Sequence, residues 1–200
     1  MKKSILIFTL LFVNIISNSQ SWTQIEKIVA SDRDAGDYFG QSVSISGDYA
    51  VIGSPYENHD TAGNNWISEA GSAYIYEKNS SGSWIQVQKI VASDRATDDR
   101  FGWQVSISGD YIIVGTLAED ENEIGGNTMI DAGSAYIFKR NSLGIWNQTQ
   151  KIVASDRASN DLFGRSVSIS GNTIIVGAQS EDNDVNGLNY MFRSGSVYVF

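Results

Sequence analysis

Carboxylates are the side chains here most able to do chemistry, and they gather in polar stretches. The 200-residue chain holds 23 Asp and Glu, one histidine and no cysteine. Glu57 and Asp60 fall within 54–70, Glu119, Asp120, Glu121 and Glu123 within 116–132, and Glu181, Asp182 and Asp184 within 178–194. The third stretch reads Asp182-Asn183-Asp184-Val185-Asn186-Gly187, the opening of an oxygen-ligand loop suited to calcium. Asp182, Asp184 and Asn186 are its candidate ligands, although Tyr190 and Arg193 stand where a closing carboxylate is wanted. The first two stretches keep a glycine (Gly63, Gly125) but thin the ligands to Asn58/Asp60 and Asp120/Asn122. Two carboxylates such as Glu119 and Asp120 are also the minimum for a carbohydrate hydrolase or lyase. Trp66, Tyr56 and Tyr190 offer flat apolar faces that could stack on a sugar or peptide, or anchor their own loops. The candidate ligand-facing set is therefore Glu57, Asp60, Trp66, Glu119, Asp120, Glu181 and Tyr190.

Other chemistries lack their residues. With His59 alone and no cysteine, thiolate sites, disulfides and most transition-metal sites are excluded. No Gly-x-Ser-x-Gly elbow, His-Glu-x-x-His pair or phosphate loop occurs. Met1-Lys2-Lys3, the apolar run Ile5–Ile16 and the small residues Ser17 and Ser19 have the layout of a secretory signal peptide over 1–19. That run is short for a membrane-spanning helix of ~20 residues, so an exported chain without a span is expected. Without Lys2 and Lys3, 12 basic residues face 23 acidic ones, a net charge of −11. Such a surface repels phosphate backbones and weighs against nucleic acid as a partner.

The elements that position these loops follow a strict repeat. Trp22, Trp84 and Trp146 lie 62 residues apart, as do Phe39-Gly40, Phe101-Gly102 and Phe163-Gly164. Lys-Ile-Val-Ala-Ser-Asp-Arg recurs at 27–33, 89–95 and 151–157. A fixed period means one supersecondary unit used again, each copy burying its apolar face on the next. The copies are 22–83, 84–145 and a shorter 146–200 within one region, 20–200. Each copy predicts a Val-Ser-Ile-Ser strand, a tight Gly turn, an apolar strand, a long polar loop, a Gly-Ser-Ala-Tyr strand and a Trp-led polar strand. The small first strand suits a crowded axis, the apolar second a position buried on both faces, and the Gln/Lys-rich fourth a solvated rim. The fold class is all-β, a β-propeller of four-stranded antiparallel blades.

The run Phe-Gly-x-Ser-Val-x-Ile-Ser-Gly-Asp, then Val-Ile-Gly, then Ala-Gly-Ser-Ala-Tyr-Ile-Tyr resembles the FG-GAP repeat, over roughly Trp22 to Phe200. That repeat builds the seven-bladed propeller at the head of integrin α subunits and of many secreted bacterial relatives. The version here looks like the cysteine-free bacterial form. The resemblance implies a secreted or cell-surface adhesion module holding an extracellular protein or glycan. The family's calcium loop lies between the first and second strands of a blade. Here that junction is only Ser46-Gly47-Asp48 or its copies, so this metal site does not carry over.

Counting the Trp22 run as a rim strand gives twelve strands, three blades' worth, whereas propellers close with about 4 to 8 blades. The expectation is an incomplete part of a seven-bladed or similar ring, the alternative being a homodimer that closes six blades. Strand alternation puts the 54–70, 116–132 and 178–194 loops on the same end as the connectors 30–38, 92–100 and 154–162. Function on rigid scaffolds concentrates on such loops. Phe39, Phe101 and Phe163 are expected to wedge between blades, with Gly40, Gly102 and Gly164 allowing close backbone approach. The recurring Asp32-Arg33 pairs predict a blade-to-blade ion pair. The leading functional expectation is a non-enzymatic binding module; a loop-face hydrolase or lyase and a plain structural spacer are the alternatives.

Overall fold

From Ser42 onward the β-branched and aromatic runs become strands, and Gly-led turns reverse the chain within each hairpin. The computed structural model describes residues 21–122, 124–184, 186–187 and 189–200. The expected signal segment 1–19 and the loop acid Glu123 lie outside the described residues. Among the described residues there are eleven strands: β1 Ser42–Ser46, β2 Tyr49–Ser54, β3 Ser72–Lys78, β4 Trp84–Ile90, β5 Gln104–Ser108, β6 Tyr111–Thr116, β7 Ser134–Arg140, β8 Trp146–Ile152, β9 Phe163–Ser170, β10 Thr173–Ala178 and β11 Ser196–Val199. They form three antiparallel meanders, β1-β2-β3-β4, β5-β6-β7-β8 and β9-β10-β11, which are successive propeller blades. The β1–β2 hairpin pairs Ser46 with Tyr49 across a two-residue turn, and Gly47 leads it at φ 59°. A side chain at that φ would be strained, which is why glycine recurs there.

The cores lie between blades. Val51, Ala73 and Ile75 of the first blade pack with Val105, Ile107 and Phe101 of the second. Ile113 and Ala135 of the second pack with Val167, Ile169 and Phe163 of the third. Burying an Ile or Val in this way contributes about 1.5–3 kcal/mol each. The innermost strands are also clasped by serines. Ser44 Oγ accepts from Ile107 N at 3.1 Å, and Ser106 Oγ accepts from Ile169 N at 3.1 Å. Small side chains at the axis thus supply the hydrogen bonds between blades.

Phe101 is the expected wedge. Its backbone bridges Gly71 of the first blade while its ring packs edge-on against Tyr136 and Phe138 of the second. Gly102 then passes so close to the first blade that a Cβ on it would collide with the Ser72 carbonyl oxygen. Phe163-Gly164 repeats the arrangement one blade on, and Phe39 packs on Tyr74 and Tyr76.

Three expectations are corrected. The Trp22 run is not a strand: Trp22–Ala30 is irregular, with Trp22 and Ile25 exposed. A strand needs a ladder neighbour, and this segment meets β4 only through side chains, as where Trp84 N donates to the Glu26 carboxylate at 3.1 Å. The same pattern joins β4 to β8, with Trp146 N donating to Gln88 Oε1 at 2.9 Å. Residues 22–30 therefore lie against β4 much as β4 lies against β8. Second, the apolar strand of the third copy is not buried on both faces, because Ile175 of β10 is exposed where no further blade covers it. Third, the rim strand is not solvated at its lysines: Lys89 and Lys151 are buried. Among the described residues, no helix is long and apolar enough to cross a membrane.

Candidate binding face at the loop end of the blades

The long loops and the connectors share one end and are stitched together. Asp98 N, Arg100 N and Phe101 N donate to the carbonyls of Ser68, Glu69 and Ala70 at 2.9–3.0 Å. Asn160 N, Leu162 N and Phe163 N do the same to Ile130, Asp131 and Ala132. The motif arginines extend this seam: Arg95 donates to the Asn58 and Asn65 carbonyls, and Arg157 to those of Asp120 and Asn127. The expected blade-to-blade ion pair of the Asp-Arg pairs is thus corrected. The arginine reaches back to carbonyls of the preceding blade, while the aspartate turns to a lysine of its own blade.

That lysine organises a repeated buried cluster. Lys89 Nζ lies 2.8 Å from Asp32 and 3.6 Å from Glu57, and the Tyr74 hydroxyl donates to Glu57 at 3.0 Å. Lys151 Nζ lies 2.8 Å from Asp94 and 3.2 Å from Glu119, with the Tyr136 hydroxyl 2.6 Å from Glu119 and 2.9 Å from Asp94. In the third blade the Tyr198 hydroxyl lies 2.8 Å from Asp156 and 3.5 Å from Glu181. Burial and the adjacent carboxylates push the phenols of Tyr74, Tyr136 and Tyr198 up, so each remains a donor. Burial also pushes Asp32 up, but the hydrogen bonds from Lys89 and Tyr74 and the lysine charge outweigh it and hold Asp32 low.

A second acid sits beneath each cluster. Asp37, Asp99 and Asp161 are buried. Burial, then the charge of Glu119, pushes Asp99 up to about 8. Burial, with Glu181 as neighbour, pushes Asp161 up to about 7. Burial and Glu57 raise Asp37 as well. Around Lys89 and Lys151 each cluster holds more carboxyls than its lysine can balance.

Glu57, Glu119 and Glu181 are 1%, 0% and 1% exposed, so these three candidates face the blade interior and not a ligand. Asp120 is half-buried, and its Oδ1 accepts from Asp131 N at 2.7 Å. The Glu119/Asp120 pair is therefore held by the frame and does not present itself to a substrate. Asn58 and Asp182 use their Oδ1 atoms in the same way, accepting from Glu69 N and Arg193 N. These three side chains latch the base of each loop.

Above the latch the loop tip is a compact turn. Asp60 Oδ1 accepts from Ala62 N at 2.9 Å and Asn64 N at 3.0 Å, and the Asn64 and Asn65 bonds hold its carboxyl down at about 2. Asp184 Oδ1 accepts from Asn186 N at 3.0 Å, and the Asn189 amide donates to its other oxygen. In this geometry the calcium candidates already have partners within the loop. The Asp182 and Asp184 oxygens serve the latch and the turn, and Asn186 donates its backbone N–H to that turn. Among the described residues, no three acidic or histidine side chains converge on a common centre.

What the tips do present is aromatic. His59 bridges Trp66 and Asn183 bridges Tyr190, leaving Trp66 62% and Tyr190 66% exposed at equivalent positions of the first and third loops. Tyr56 instead anchors its own loop, 4.8 Å from Tyr38 and under the Arg100 guanidinium. The structure thus keeps Asp60, Trp66 and Tyr190 on the surface. Missed from sequence were Lys89, Lys151, Tyr74 and Tyr136; their only signal was recurrence at the repeat spacing.

A family model described as FG-GAP repeat matches three segments, residues 22–76, 84–138 and 146–200. Comparison with curated proteins gave no match to the chain.

Proposed function

The chain belongs to the FG-GAP repeat family, and on that premise we propose that it is an exported, non-enzymatic binding module whose loop end holds an extracellular protein or glycan. One observation carries this reading. The repeated acids are turned inward, whereas Trp66 and Tyr190 stand exposed on latched tips. An aromatic face already held in place loses little conformational freedom when a sugar ring or a flat peptide surface stacks on it. The exposed Asn64 amide beside Trp66 is a polar group of the kind that orients such a ligand. The N-terminal segment supports export to the surface or the medium.

The test is retention of the chain on panels of glycans and extracellular proteins, with Trp66→Ala and Tyr190→Ala measured in parallel. Removing either aromatic is expected to weaken binding about tenfold, with the melting temperature unchanged. A retained partner that both variants bind equally well would refute the loop face as the site. No retention by the wild-type chain would favour a structural spacer.

A further inference from the structure

The tip of the third long loop carries a side chain that the turn beneath it does not need. Each tip reverses through a glycine whose N–H donates to the carbonyl three residues back: Gly63 to Asp60 at 3.1 Å, Gly125 to Asn122 at 3.0 Å and Gly187 to Asp184 at 2.8 Å. These glycines lie at φ 74°, 74° and 66°, where a side chain would be strained. The residue before the glycine is Ala62 in the first copy, Ile124 in the second and Asn186 in the third. Alanine and isoleucine serve the same turn, so the asparagine is not there to form it. Asn186-Gly187 is also the one Asn-Gly pair in the sequence.

The surroundings leave that pair open to reaction. Asn186 and Gly187 are both exposed, and a Cβ on Gly187 would meet nothing within 4 Å. Ala62-Gly63 and Ile124-Gly125 are exposed as well, so the exposure belongs to the tip in every copy, internal blades included. The other asparagines of this loop are held by their amides: Asn183 donates to Glu181, and Asn189 to Asp184. Asn65 and Asn122 are held likewise in the first two loops, one donating to Asp60 and the other accepting from Gly126 N. Asn186 is fixed only through its backbone N–H, which donates to Asp184 Oδ1 at 3.0 Å. Among the described residues its amide has no hydrogen-bond partner, and the Gly187 nitrogen has no side chain beside it to shield it.

We propose that Asn186 is a site of spontaneous covalent modification, converted in the folded chain to aspartate and its β-linked isomer. The Gly187 nitrogen gives up its proton and attacks Asn186 Cγ. The Cγ–Nδ2 bond breaks and ammonia leaves, closing a five-membered imide. Water then adds to either imide carbonyl, and the ring opens to aspartate on one side or to isoaspartate on the other. The chain loses one ammonia and gains one water, with no other co-reactant. Nucleophile and electrophile sit on adjacent residues, so the attack avoids the entropy of an encounter. The turn bond from Gly187 has to open first, and at an exposed tip such local opening costs little. Both products add a negative charge next to Asp184. Isoaspartate also inserts a main-chain atom between residues 186 and 187, inside the turn that Asp184 N closes on the Asn189 carbonyl. The tip that carries Tyr190 therefore changes charge and shape with age, while the first two tips stay constant. The inference is independent of what the loop face binds.

Incubating the purified chain in mildly alkaline buffer tests this, with peptide mapping that resolves asparagine, aspartate and isoaspartate at each position. Conversion at Asn186 is expected to run at least about tenfold faster than at Asn64 or Asn127, exposed asparagines of the other tips whose next residues bear side chains. Asn186→Ala, which copies the first tip, is expected to keep the melting temperature and abolish the product. Ile124→Asn builds the same pair into the second tip and is expected to create a second converting site. An unreactive Asn186, conversion led by another asparagine, an Ile124→Asn chain that converts only at 186, or a wild-type chain that converts in urea but not when folded would each overturn the inference.

Discussion

Replacing Lys151 by methionine removes one charge and little volume, and the structure sets the size of the effect. The ammonium lies 2.8 Å from Asp94 and 3.2 Å from Glu119, with side-chain exposures of 4% for Lys151, 31% for Asp94 and 0% for Glu119. Removing one member of a buried pair costs about 3–5 kcal/mol because the partner is left charged and dry. The Asp94 half of that cost is screened, since water reaches it, and is worth at most about 1 kcal/mol. Glu119 keeps its full penalty, so a loss of about 3 kcal/mol is expected at pH 8. Burial already raises the Glu119 carboxyl, and losing the lysine raises it further. A group raised in the folded state is neutral below its folded pKa, so the loss shrinks as the pH falls through that value. Urea unfolding at pH 8 and pH 5, followed by the fluorescence of buried Trp146, measures both numbers. A loss below about 1 kcal/mol at pH 8, or one that grows toward acid, would refute the reasoning. Lys27→Met is the internal control: Lys27 is exposed, and its effect should stay within about 0.5 kcal/mol.

Asp99→Asn keeps an oxygen to accept the Ala96 N–H and removes the charge. Between pH 3.8 and about 8 the folded chain binds a proton at Asp99 that the unfolded chain lacks, so wild-type stability falls as pH rises across that window. The variant should therefore melt higher than wild type near pH 8, with the gain vanishing toward pH 4; identical pH profiles would count against a protonated Asp99. Gly133→Ala combines φ 83° with a Cβ collision against the Phe163 backbone and should cost about 3 kcal/mol or more, whereas Gly125→Ala, at φ 74° in open space, should cost about 1. Comparable melting temperatures for the two would show that the joint yields. Millimolar calcium should leave the melting temperature unchanged, because the Asp182 and Asp184 oxygens are already engaged; a rise of several degrees would restore the metal loop.

The repeat made the blades legible before any coordinates. Gly-led turns between alternating runs place β1 to β11, and the identical spacing of Phe101 and Phe163 marks them as parts of one joint. Polarity misled where tertiary partners decide. Gln and Lys in the Trp-led strand read as a wet rim, yet Lys89 meets Asp32 and Glu57 from segments far away in sequence. Glu57, Glu119 and Glu181 read as a ligand face for the same reason, since a pattern of acids does not say which of them a lysine will cover. The Trp22 run has the composition of a strand but not the neighbour, and a ladder is a property of two segments.

The latch at the base of each long loop separates what lies above it from what lies below. Asn58, Asp120 and Asp182 tie the loop legs together, and above them the next blade's arginines meet the backbone carbonyls of Asn65 and Asn127, not their side chains. The frame is thereby insulated from the spelling of 60–65, 122–127 and 184–189. New sequence can be grafted into one tip without renegotiating the joints beneath. Three such tips set side by side on one end make the array a ready display platform, in which affinity can be evolved or engineered one loop at a time while the blades stay as they are.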